Sequence, residues 1–76
     1  MKKLNKVQGL RCRLKQAVAD SNLSMTDISR KSGLSRSRLW SYLIDDVSPS
    51  VYSLARLSKT LDVSSDWLLG LKEDRK

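Results

Sequence analysis

Residues 25–44 read MTDISRKSGLSRSRLWSYLI, and this stretch decides the fold. Ser24 followed by Asp27 is a capping box with Asp in the place usually held by Glu. It opens a short helix over about 25–32 whose inner face is Met25, Ile28 and Ser29. Gly33 ends that helix, because glycine accepts a positive φ without steric cost. Leu34 turns inward, Ser35 caps again, and a second short helix over about 36–44 presents Leu39, Tyr42 and Leu43 to the core. Ser29 is small at the point where the two helices approach. Two short helices joined by a glycine-containing turn make a helix-turn-helix unit.

Working outward, the same three- and four-residue spacing continues on both sides. Val7, Leu10, Leu14, Ala17, Val18 and Ser21 form one stripe, which predicts a first helix over about 6–21. Asn22 suits its left-handed end. On the other side, residues 45–48 form a loop. Pro49 suits the first turn of a fourth helix capped by Ser48, with Ser50 as the alternative cap. That helix runs to about Leu61 and turns Val51, Leu54, Ala55, Leu57, Ser58 and Leu61 inward. Ser64 opens a last short helix containing Trp67, Leu68 and Leu69, and Gly70 ends it. The tail Lys72–Lys76 is entirely charged and is expected to fray. The prediction is an all-α, compact five-helix domain over 1–76. Its ordered core covers about 6–71, between a mobile basic N-terminal arm and the charged tail.

Composition narrows the function classes. Seventy-six residues, 39% hydrophobic and 30% charged, make one small globular domain and neither a linker nor a disordered segment. No apolar run approaches the ~20 residues that cross a bilayer, and no apolar signal core follows Met1-Lys2-Lys3. Cys12 is the single cysteine and histidine is absent, so neither an intramolecular disulfide nor a Cys/His metal site can form. Cys12 reads as a buried or half-buried thiol. Nothing supplies acid–base or metal chemistry, so the chain is read as no enzyme and as needing no cofactor.

The net charge is +7, which favours a polyanionic partner. It is unevenly spread. Residues 1–15 carry Lys2, Lys3, Lys6, Arg11, Arg13 and Lys15 without an acid. Residues 25–44 add Arg30, Lys31, Arg36 and Arg38 against Asp27 alone, whereas residues 45–71 set Asp45, Asp46, Asp62 and Asp66 against Arg56 and Lys59. The basic residues do not share one helix with a large apolar outer face, which argues against a membrane surface.

From the Leu23-Ser24 entry to the Trp67-Leu68-Leu69-Gly70 finish, the chain resembles the phage-repressor and Cro-like, XRE-type helix-turn-helix domains. The Gly33-Leu34-Ser35-Arg36-Ser37 turn, the Pro49-Ser50 start and the Leu61-Asp62-Val63-Ser64 link carry the resemblance, which spans about residues 10–70. It implies a lambda-repressor-like fold whose third helix enters the major groove of double-stranded DNA. It also implies a transcription regulator, in expectation a repressor, in the cytoplasm of a bacterium or encoded by a phage, and associated with the nucleoid. By position Ser35, Arg36, Ser37 and Ser41 match the places where that family touches bases, and Trp40 lies on the same side. Independently, Arg36, Ser37, Trp40 and Ser41 are what remains outward once Leu39, Tyr42 and Leu43 turn in.

Arg36 is the foremost base reader, since one guanidinium can donate two hydrogen bonds to guanine. Ser37 and Ser41 would reach a base or a water, and Arg38 a phosphate. The indole of Trp40 either covers a thymine methyl or sugar edge, or folds sideways onto helix 2 or the 45–48 loop. Thr26 and the amides that open helix 2 should hold a phosphate. Lys2, Lys3 and Lys6 would add phosphate contacts that raise affinity without reading sequence.

The chain departs from the family pattern in three ways. Asp45 and Asp46 stand where basic residues usually touch the backbone. Met25 replaces a frequent Gln. Val18 and Leu43 occupy the places of a buried Arg–Glu pair, and as two apolar residues they leave no charge stranded. Two readings follow. In one, a homodimer binds a two-fold DNA site, using exposed parts of Trp67, Leu68 and Leu71. In the other, the scaffold is a protein-interaction module, an antitoxin or anti-repressor partner with weak DNA affinity, on the strength of Asp45, Asp46 and Trp40.

Overall fold

Serine hydroxyls set four of the five helix starts in the computed structural model, which describes residues 9–76. The helices are α1 (Leu10–Ser21), α2 (Met25–Ser32), α3 (Arg36–Leu43), α4 (Val51–Leu61) and α5 (Ser65–Leu68). Ser24, Ser35, Ser50 and Ser64 each accept a backbone N–H of the following turn. Each satisfies a donor that the helix geometry leaves orphaned. Between Ser48 and Ser50, the cap of α4 is Ser50, and Pro49 stays outside the helix.

α1 begins later than expected. Gly9 has φ 84 and starts the helix from a left-handed conformation. A right-handed helix cannot run through such a residue. Lys6 and Val7, given to the helix in the sequence reading, lie outside the described residues. Asn22 closes α1 at φ 62, and Gly33 closes α2 at φ 78, both as expected.

The core collects one face from every helix. Leu10, Leu14, Ala17, Ile28, Leu34, Leu39, Tyr42, Leu43, Leu57, Leu61, Trp67 and Leu68 are all buried. Met25, Leu54 and Val18 pack against it half-buried. Three expectations fail. Val51 is 86% exposed because it is the first residue of α4 and precedes the buried stripe at Ser53, Leu57 and Leu61. Ala55 lies on the outer side of the same helix. Cys12 is exposed, since Leu10 and Leu14 set the inner phase of α1 and position 12 falls opposite.

The core also holds polar groups. Ser32 and Ser53 are buried, and both are hydrogen-bonded as buried polar groups must be. The Tyr42 hydroxyl donates to Ser53 Oγ at 2.9 Å, and Ser50 Oγ donates to it at 3.2 Å. This ties α3 to the start of α4.

The charged tail, expected to fray, lies back on the fold. The Ser64 N–H donates to the Arg75 carbonyl at 2.6 Å, and the Arg75 guanidinium pairs with Asp20 at 2.9 Å. The guanidiniums of Arg75 and Arg13 lie over the Trp67 ring, 4.8 and 5.4 Å from its centroid. Such contacts are favourable because the ring face is electron-rich. Among the described residues no helix is long and apolar enough to cross a membrane.

Candidate nucleic-acid interface

The turn between α2 and α3 is fixed from inside. Ser29 Oγ donates to the Leu34 carbonyl at 2.6 Å, and the Leu34 N–H donates to the buried Ser32 Oγ at 3.2 Å. With Leu34 and Leu39 buried, α3 has one possible rotation about its axis. Ser35, Arg36, Ser37, Arg38 and Trp40 are exposed, and Ser41 is half-buried. Every α3-side residue singled out from the sequence therefore reaches solvent.

The structure divides these residues into two groups. Ser35, Ser37, Arg38 and Ser41 line an open groove of about 550 Å³, together with Tyr42, Val47, Ser48 and Ser50. Arg36 turns instead towards α2, where its Nη1 donates to Thr26 Oγ1 at 3.4 Å. Ser48 and Ser50, at the start of α4, join the groove and were read in the sequence only as candidate helix caps. Their place in the groove follows from how α4 docks, which no local pattern encodes.

Two of the serines are partly committed. Ser35 Oγ accepts the Arg38 N–H at 3.1 Å, which leaves its own proton to donate. Ser41 Oγ donates to the Ser37 carbonyl at 3.1 Å, which leaves its oxygen as an acceptor. The two hydroxyls thus offer opposite hydrogen-bonding character to a base edge. Trp40 keeps 51% of its surface in solvent.

Thr26 is exposed in the first turn of α2. Beside it the capping box is complete. Ser24 Oγ accepts the Asp27 N–H at 3.1 Å, and Asp27 accepts the Ser24 N–H at 3.2 Å. The Ser24 backbone N–H, then its hydroxyl, hold the Asp27 carboxyl below the ordinary carboxylate range. Arg30 adds a smaller pull in the same direction and pairs with Asp27 at 3.0 Å. A phosphate arriving here would meet free amides at Met25 and Thr26 and a carboxylate one residue on.

The acidic loop is tied down rather than loose. Arg11 Nη1 donates to the Ile44 carbonyl at 3.2 Å, and the Val47 N–H donates to the Ser41 carbonyl at 3.0 Å. Asp46 takes φ 59. Ile44 and Val47, on either side of the two aspartates, are about half exposed. At the other end of the chain, Trp67 and Leu68 are 6% and 0% exposed. They cannot offer the subunit contact expected of them, because the core and the tail arginines already occupy them. Leu71 alone of that set stands in solvent, at 72%. Lys2, Lys3 and Lys6 lie outside the described residues. Among the described residues no group of His, Cys, Asp or Glu could hold a metal ion.

Comparison with known proteins agrees with this geometry. The helix-turn-helix family profile matches residues 14–68. Among solved structures, the N-terminal DNA-binding domain of SinR from Bacillus subtilis is similar at 31% identity with a TM-score of 0.73. The match covers 80% of this chain and 90% of that one. No curated protein matches the chain.

Proposed function

The chain belongs to the XRE-type helix-turn-helix family, and from that premise we propose that it is a transcription regulator binding double-stranded DNA sequence-specifically through α3. The observation that carries this is the outer face of α3. It sets exposed arginine, serine and indole side chains on a helix whose rotation is fixed by Leu34 and Leu39. A helix so presented fits the major groove of B-DNA.

In this reading Arg36 is the principal base reader. Its bond to Thr26 holds the guanidinium at the front of α3, so Thr26 both approaches a phosphate and orients the arginine. Ser35, Ser37, Trp40 and Ser41 complete the reading surface. Arg38 and the lysines at 2, 3 and 6 neutralise phosphates. Repression, rather than activation, is part of the same proposal. The domain is proposed to work as a homodimer, because a single α3 spans only a few base pairs. Leu71 is what remains exposed of the surface assigned to that contact.

Selection of bound duplexes from a random pool tests the reading directly. The expected result is a motif of two inverted half-sites. Recovery of no motif at low salt would remove the proposal.

The second reading, a protein-interaction module, draws on Trp40, Ile44 and Val47, each about half exposed. It requires that the domain fail to shift random DNA even at low salt. A shift that weakens steeply with salt decides against it.

A further inference from the structure

At the C-terminal ends of α2 and α4, Lys31, Arg56, Lys59 and Thr60 line a second open groove, of about 360 Å³. It shares no residue with the groove beside α3. Lys31 lies in the last turn of α2, and Lys59 and Thr60 in the last turn of α4. The reading face gathers the opposite ends of these helices, with Thr26 opening α2 and Ser50 capping α4. At 1.5 Å per residue, Lys59 lies about 12 Å along α4 from Val51, and Lys31 about 7 Å along α2 from Thr26. The two sets of groups are therefore separated along both helices, and the groove offers phosphate contacts in addition to those beside α3.

The three cations are exposed, and none forms an ion pair among the described residues. Arg56 is held in place. Its guanidinium lies 5.3 Å from the Tyr52 ring centroid, and its Nη2 is 3.4 Å from where a Cβ on Gly33 would stand. Lys31 and Lys59 each offset the negative end of their own helix, but that local role does not account for their convergence with Arg56 from mid-helix. The lining contains no apolar side chain. A protein partner is bound through an apolar and aromatic centre, whereas a phosphate backbone asks only for cations and hydroxyls.

We propose that this groove is a second phosphate-binding surface, which takes the backbone of a second DNA duplex while α3 reads the first. The inference rests on the DNA-binding reading above. It makes a single domain able to bring two duplex segments together.

The test uses the full chain held on a saturating tethered duplex carrying the selected motif, with a labelled duplex of unrelated sequence offered in solution. Capture is expected at low salt. With three phosphates neutralised, it should fall about 40-fold between roughly 50 and 200 mM monovalent salt. The triple variant Lys31→Gln, Arg56→Gln, Lys59→Gln should keep the tethered motif and its thermal melt and lose capture. If that variant does not fold, Arg56→Gln alone should weaken capture and reduce its fall over the same salt range from about 40-fold to about 12-fold, one phosphate's worth.

Three results overturn the proposal: no capture by the wild type at low salt; undiminished capture by the folded variants, which assigns bridging to a second reading helix in a dimer; or displacement of the label by polyglutamate at charge concentrations where free duplex does not displace it, which assigns the groove to an acidic polypeptide. A failed motif selection with groove-dependent capture of random duplex intact would overturn the α3 reading and leave the groove standing.

Discussion

At the tail end of the molecule Arg13, Arg75 and Lys76 each meet a carboxylate of the same chain, namely Glu73, Asp20 and Asp62. Around the helix-turn-helix, Lys31, Arg38, Arg56 and Lys59 form no ion pair among the described residues, although Asp27 feels the charge of Lys31, and Arg36 meets only a threonine hydroxyl. Arg30, paired with Asp27, is the exception on that side. Both regions are rich in cations, so composition does not separate them. What separates them is whether the fold supplies the counter-charge. Paired cations hold the tail on Trp67, and unpaired ones await an anion from outside.

Substitutions can break or sharpen that contrast. The largest effect is expected from Trp67→Ala, which removes a buried indole and the ring beneath two guanidiniums. Loss of such a side chain costs about 3–5 kcal/mol. In so small a domain that should bring the thermal midpoint, followed by circular dichroism, down to near ambient temperature. A change of a few degrees would show that the tail end does not depend on Trp67.

Arg36→Ala should act the other way round. Its stability should stay within ~0.5 kcal/mol of wild type, while discrimination at one base position falls by about 1–3 kcal/mol. An unchanged motif in a repeated selection would dismiss Arg36 as a reader. Arg75→Ala should cost about 1 kcal/mol of stability through the lost ring contact and ion pair. It should leave the motif and the salt slope of DNA binding alike. If binding changes more than the melt, the division between the two ends is wrong.

Acidification gives the smallest effect. The folded Asp27 carboxyl titrates below its unfolded value, so its share of stability is full above the unfolded pKa. That share is lost as pH falls through the folded one, below pH ~4. Asp27→Asn should flatten that part of the stability curve. An identical acid limb in both proteins would deny the capping box its electrostatic role.

The reading half of the molecule was the more legible of the two. Ser24, Asp27, Gly33 and Ser35 act on backbone within a few residues of themselves, so helix ends and the α3 outer face follow from the sequence. Position 51 misled because an apolar residue at a helix start fits the stripe spacing yet precedes the turn that packs. Cys12 misled because its apolar neighbours and helical position suggested burial, while Leu10 and Leu14 set the phase. The tail was illegible for a different reason. Arg75 meets Asp20 across 55 residues of chain, and only the docking of α1 beside α5 makes that meeting possible. Ser48 and Ser50 entered the groove in the same way, through the placement of α4 on α3.

The chain contains two tryptophans, and the fold gives them opposite surroundings, one 6% and the other 51% exposed. The molecule therefore carries two tryptophan fluorophores with separate duties. A small quencher in solution reaches Trp40 and not Trp67. A duplex laid along α3 should shield the first from the quencher and leave the second as it was, while unfolding opens the second. Binding and folding can then be followed in one cuvette without a label.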